Sequence, residues 1–230
     1  MGWRLNLFSS ILLFFQMLKE DLSQLGLKRT LAKLIFWKKS AVPSYIFPDT
    51  LKAEKYSLTR FNCELKMFDK SLIDFFDENY RKSRVIKAKY YLSRGYKGFV
   101  LWKAGRIIGD LWFTVKQDSS NSEKLSEHPD LKLLHLKLDK NEAYAFDLYL
   151  LESVRGKDLA TCFMASVIIQ LGKLGVARVY GYYLKDNLPA LWIHRLIGYK
   201  ELPEISLSRF AFFRFSQKTK SADSPRTQRT

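Results

Sequence analysis

The chain has 230 residues, 47% apolar and 15% aromatic, enough for one well-packed domain with appendages and too apolar for global disorder. With 11 Gly, 6 Pro and two isolated cysteines, Cys63 and Cys162, the collagen-like, low-complexity, disulfide-scaffold and structural-zinc classes drop out, and a reduced, cytoplasmic setting is expected. Lysines and arginines outnumber acids 39 to 23, a net charge of +16 that favours anionic partners: a phosphate-bearing ligand, acidic lipid or nucleic acid.

The first element is an uncharged apolar run from Leu5 to Leu18. It falls short of the roughly 20 apolar residues that cross a bilayer, and no small-residue cleavage site follows it. Beyond it, Leu27, Leu31, Leu34 and Ile35 recur at helical spacing among basic residues. Residues 1–48 therefore read as a basic amphipathic helical extension, suited either to peripheral contact with an anionic membrane through residues 1–40 or to packing on the body or a second subunit, as in a homodimer. Turn-forming residues at Ser40–Ser44, Pro48 and Asp49 mark the boundary of a main domain over 49–215.

Within that domain Glu54–Thr59 is expected as a strand, Asp69–Asn79 as a helix capped by Asp69, and Ser83–Ser93 as a helix closed by Gly95. Two apolar runs, Gly98–Trp102 and Ile107–Val115, flank a glycine-bearing turn and form a hairpin. A polar loop spans 117–131. Strands are expected at Lys132–Leu138, Ala143–Leu151, Ala177–Tyr183 and Arg209–Phe215, and helices at Lys157–Gly172 and Asn187–Leu196. An antiparallel hairpin followed by strand–helix–strand–helix gives a mixed α/β sheet. The tail over 216–230 is expected to be disordered and basic. No nucleic-acid motif accompanies the charge, which is spread along the chain, so nucleic acid ranks below the other anionic partners.

The chemistry concentrates after the strand Asp147–Leu151, where Arg155-Gly156-Lys157-Asp158-Leu159-Ala160 leads into a helix. A glycine turn entering a helix aims backbone N–H groups and the positive end of the helix dipole at one point, which suits a pyrophosphate. The order Leu148-x-Leu150, Arg155-Gly156-Lys157-x-Leu159-Ala160, Gly175, Asn187, Ala190, Gly198-Tyr199 resembles the GNAT superfamily of acyl-CoA-dependent N-acyltransferases, clearly over about residues 143–202. The resemblance implies a twisted, mostly antiparallel mixed sheet flanked by helices. It implies acetyl-CoA or another acyl-CoA as co-substrate, no metal, and an amine-bearing acceptor. It also places Leu148 and Leu150 against the pantetheine arm, Gly156 through Ala160 against the pyrophosphate with Arg155 and Lys157 adding charge, and Asn187 on the arm from the next helix.

Two positions depart from the family pattern. Asp158 stands where the family has glycine, bringing a carboxylate to the phosphate site. His194 stands seven residues after Asn187, where many members carry a tyrosine that protonates the leaving thiolate; an imidazole suits that role and equally suits a packed helix position. Asp147, in an apolar strand beside the expected acyl site, is the first candidate for a general base, with a strand-edge ion pair as its alternative and Glu142 as runner-up. Strand alternation puts Phe146 and Leu148 on one face and Asp147 and Tyr149 on the other. His128 and His135 lack a third metal ligand. Cys162 lies on the apolar face of a helix, and no hydrolase motif is present. The reading is thus an N-acyltransferase, set against a degenerate module of the same fold that binds an anionic partner or membrane surface.

Overall fold

A computed structural model describes residues 2–26, 36–116, 127–156, 158–210 and 213–218. Among them nine strands form one sheet: β1 (Phe36–Ile46), β2 (Glu64–Met67), β3 (Lys97–Lys103), β4 (Arg106–Val115), β5 (Glu142–Leu150), β6 (Arg178–Leu184), β7 (Lys200–Glu201), β8 (Ile205–Phe210) and β9 (Phe213–Lys218). The order is β2-β3-β4-β5-β6-β1-β8-β9, with β7 added to β1, and every pairing is antiparallel except β5 with β6. The helices are α1 (Gly2–Leu25), α2 (Lys82–Ser93), α3 (Pro129–Leu133), α4 (Leu159–Lys173) and α5 (Leu188–Ile197).

Local chemistry explains most of these elements. The β3–β4 hairpin turns on Ala104 and Gly105, both left-handed (φ 46° and 77°), the two-residue turn whose twist matches its strands. α4 buries Leu159, Cys162, Phe163, Val167, Ile168 and Leu171 at helical spacing against one face of the sheet, beside α5. α2 and α3 cover the other face. The sheet is therefore sandwiched between two helical layers, the mixed, mostly antiparallel architecture expected from the sequence.

Several expected elements differ. Phe36–Ile46, read as the end of a helical extension, is an interior strand between β6 and β8, with Ala41, Ser44 and Ile46 almost fully buried. Its Pro43 suggested a turn, because proline removes a ladder donor. Here Pro43 falls where the partner on that side changes, between the Ala41–Ile205 and Ser44–Glu201 pairs. Glu54–Thr59 is not a strand but a pair of tight turns, Ala53–Tyr56 and Thr59–Phe61. Asp69 does cap, accepting the Ser71 N–H at 2.7 Å, but the helix it starts is the 3₁₀ segment Lys70–Phe75. Lys132–Leu138 contains the end of α3 instead of a strand, the apolar side chains of Leu131 and Leu134 being buried by one helical turn. The last strand is two, β8 and β9, and β9 carries order through Lys218, past the expected start of the tail. Residues 219–230 and the 27–35 stretch of the amphipathic segment lie outside the described residues.

α1 packs along α2. Its Glu20 carboxylate accepts the Ser83 N–H at 3.0 Å and the Ser83 hydroxyl, so α1 supplies a negative charge to the first turn of α2. Leu12 and Phe15 of α1 remain exposed. No helix among the described residues is long and apolar enough to cross a membrane.

Candidate active site

β5 and β6 pair over only three residues, Glu142–Arg178, Ala143–Val179 and Tyr144–Tyr180. Beyond Tyr144 and Tyr180 both strands continue, to Leu150 and Leu184, without a ladder between them. The gap opens into a cleft of about 830 Å³ whose walls include Ala145 and Leu148 of β5, Tyr182 of β6, Met164 of α4 and Ile193 of α5.

A β-bulge shapes the β5 wall. The β4–β5 register shifts between Asp110 and Trp112, and Asp147 at the bulge is left-handed (φ 59°). The extra residue breaks the alternation expected for this strand. Phe146 and Tyr149 face the α2 side and Leu148 and Leu150 the α4 side, so Phe146 and Leu148 do not share a face.

The cleft ends at the turn into α4. Arg155 donates its Nε–H to the Leu150 carbonyl at 3.1 Å and lies over the Tyr149 ring, 5.5 Å from its centre. Gly156 is left-handed (φ 101°) with open space where a Cβ would sit, so conformation and not crowding selects glycine. Asp158 immediately precedes α4 and is also left-handed (φ 63°, ψ 7°). Aspartate is among the few side-chain-bearing residues that enter this region readily, so the backbone that glycine would adopt is kept and only a carboxylate is added. That carboxylate makes no capping hydrogen bond to α4. Leu159 and Ala160 open the helix, where first-turn amides lack intrahelical acceptors. Lys157 lies outside the described residues. On the opposite wall Asn187 caps α5, its side-chain oxygen accepting the Ala190 N–H at 3.3 Å. Arg155, Gly156, Asp158, Ala160 and Asn187 thus meet at one cleft with Leu148 and Leu150.

The two expected proton-transfer residues sit differently. Asp147 borders the cleft but is engaged by α2: Oδ1 accepts from Arg84 Nη1 at 2.7 Å, and Oδ2 lies 2.8 Å from the Tyr91 hydroxyl and 2.7 Å from Lys87 Nζ. Burial alone would raise this carboxyl; the two cations outweigh it and hold it well below the usual carboxylate range. Arg84 simultaneously pairs with Asp110, which is fully buried on β4 and also accepts from Tyr80 at 2.6 Å and from Trp112 Nε1 at 2.7 Å. Glu142 stands at the far end of β5, bound to Arg178 at 3.2 Å and to the Asp139 N–H at 2.8 Å, and does not line the cleft.

His194 is 5% exposed, with Nδ1 2.8 Å from the Ser44 hydroxyl and its ring between Tyr183 and Tyr199. Burial pushes its pKa down to about 4, so the imidazole is neutral at neutral pH. Tyr182, which no sequence motif marks, lines the cleft, and burial with nearby Asp130 pushes its phenol up to about 12. Among the described residues no group of three or more His, Cys, Asp or Glu is placed to hold a metal ion.

Neither a protein-family model nor a curated protein matches this sequence. Solved structures do match in fold. The GCN5-related glucosamine N-acetyltransferase region of a fungal multi-domain GH3 β-N-acetylglucosaminidase aligns with a TM-score of 0.56 at 13% identity, over 80% of this chain and 22% of that one. A GCN5-related N-acetyltransferase-like protein from Streptococcus suis 89/1591 aligns with a TM-score of 0.50 at 12% identity, over 81% of this chain and 68% of its own. A Drosophila protein aligns with a TM-score of 0.46 at 10% identity, over 80% of this chain and 55% of its own. This chain therefore spans about half of the Drosophila protein and under a quarter of the fungal one. The chain has the fold of the GCN5-related N-acetyltransferases, the GNAT fold.

Proposed function

We propose that this chain is an acyl-CoA-dependent N-acyltransferase, with acetyl-CoA as donor and a primary amine as acceptor. The observation that carries the reading is the parting of β5 from β6 after three paired residues, which opens a slot leading to a glycine turn and a helix N-terminus. When bound, acetyl-CoA supplies the acyl group as an activated thioester. In this reading the β5 edge at Leu148 and Leu150, which β6 leaves without a ladder, lies along the pantetheine arm as a neighbouring strand would, with the Leu150 carbonyl already held by the Arg155 Nε–H. The Gly156–Ala160 turn receives the pyrophosphate on backbone amides, with Arg155 beside it.

Transfer forms an N–C bond at the thioester carbonyl and breaks its C–S bond. The amine gives up a proton to water, and the leaving thiolate takes one. Asp147 serves the scaffold: a carboxylate held below its usual range between Arg84 and Lys87 is a poor base. His194, on α5 at the cleft wall and tied to Ser44, is a neutral imidazole near neutral pH; its single ring N–H is too weakly acidic to protonate a thiolate, and the residue positions α5 instead. Tyr182 is protonated at neutral pH and lines the cleft, and it takes the role of proton donor to the thiolate. Release of free thiol from acetyl-CoA in the presence of a panel of primary amines tests the proposal. Amine-dependent release, slowed at least tenfold in Tyr182→Phe, supports it; release with no amine dependence contradicts it.

A further inference from the structure

A second pocket, of about 150 Å³, opens on the α2–α3 side of the sheet, where β1, β6, β8 and β9 meet α3. It touches the cleft: Tyr182 and Leu184 line both. α4, with the glycine turn, lies on the opposite face. The pocket walls are the rings of Trp37, Tyr182 and Phe215 and the side chains of Leu133, Leu184 and Leu207. One carboxylate, Asp130, completes it.

Asp130 is loosely held. Oδ2 is 3.4 Å from the Tyr144 hydroxyl, and Oδ1 is 3.6 Å from Nη1 of Arg214, a rim residue whose side chain is 56% exposed. His128 Nδ1 stands 3.9 Å from Oδ2 but accepts the Asp130 backbone N–H at 3.2 Å, so that nitrogen offers the carboxylate no proton. A half-buried carboxylate whose partners among the described residues stand no closer than 3.4 Å, walled by three aromatic rings, is the chemistry that receives an ammonium group. The carboxylate supplies the opposite charge and the ring faces add cation–π attraction.

We infer that this pocket binds the acceptor and selects a small monoamine with an aromatic or aliphatic body. The inference rests on the acyltransferase reading. Three observations set the class. The walls are apolar, so the body of the ligand is apolar. The volume is about half the roughly 300 Å³ at which drug-sized sites begin, so the ligand is small. A polyamine would bring several charges to a site whose one carboxylate among the described residues stands beside Arg214, on a chain of net charge +16, and an aminosugar would bring several hydroxyls to apolar walls; an apolar monoamine matches both. The shared wall at Tyr182 puts such an amine next to the cleft from the face opposite α4.

The test compares 2-phenylethylamine with 2-phenylethanol, which has the same body and no charge, each titrated into the full chain at pH 7 while the indole N–H resonances are followed. The amine should bind at least tenfold more tightly, with the Trp37 resonance moving. In Asp130→Asn that preference should fall below threefold. Equal binding of the two ligands to the unaltered protein would overturn the inference without any variant, as would an undiminished preference in Asp130→Asn or a Trp37 resonance that does not move. Acetyl-CoA titrated separately distinguishes the two claims: its failure to bind sinks acyl transfer, while the amine preference still decides the pocket.

Discussion

Asp158 shows how a departure from a family pattern can be read at a single residue. Its φ of 63° preserves the backbone that glycine would provide, so the cost of the substitution is electrostatic. At an effective dielectric near 20, two unit charges about 5 Å apart repel by roughly 3 kcal/mol, falling to about 1 kcal/mol with screening. Asp158→Gly should therefore tighten acetyl-CoA binding by about tenfold in a calorimetric titration. Arg84 raises the opposite issue, since it is shared by the buried Asp110 and by Asp147. Arg84→Met leaves both carboxylates without their main cation and should lower unfolding free energy by about 3 kcal/mol or more in a urea titration. His194 makes stability depend on pH. Its folded pKa of about 4 lies below the ordinary imidazole value, so the unfolded chain takes up the proton first. The contribution is complete above about pH 6.5 and is lost as pH falls from there to about 4, some 3 kcal/mol across the window. His194→Asn, which keeps a partner for Ser44 and cannot titrate, should flatten that part of the stability profile relative to the unaltered protein.

At the scale of elements, β1 and α1 make contrasting predictions. α1 is joined to the body through α2 and the Glu20–Ser83 contacts, whereas β1 is an interior strand bonded on both sides. Removing residues 1–26 should lower the thermal midpoint by a few degrees, consistent with losing a helix cap worth about 1 kcal/mol. Removing residues 1–46 takes out a central strand and should abolish the cooperative melt seen by circular dichroism. The sequence carried clear marks of the elements whose residues repeat in register with the structure: the β3–β4 hairpin, α2 with Gly95 behind it, α4 with Gly175, and α5 between Asn187 and Gly198. It hid β1, because Pro43 signals a turn unless the change of partner from β8 to β7 is known, and that change is made by residues some 160 positions away. It hid the β5 bulge for a related reason. A single left-handed Asp147 is set by Arg84, Lys87 and Tyr91 on a distant helix, and without them the strand reads as plain alternation. The glycine turn and Asn187 were legible because local backbone geometry demands them. Tyr182 and Asp130 were not, since only the sheet brings β6, α3 and β9 around one pocket.

For the whole molecule, the net charge of +16 surrounds a site read as taking a highly anionic co-substrate. Acetyl-CoA binding should weaken as salt rises, because the contribution of the spread lysines and arginines is screened over a Debye length of about 8 Å at 0.15 M. The central claim is that the gap between β5 and β6, closed at one end by the Gly156–Ala160 turn, is an acyl-CoA slot. The most direct test is calorimetric titration of acetyl-CoA into the full chain at low salt, alongside Arg155→Ala. One saturable site per chain is expected, about tenfold weaker in Arg155→Ala. No heat of binding to the unaltered protein, or binding indifferent to Arg155, would contradict it.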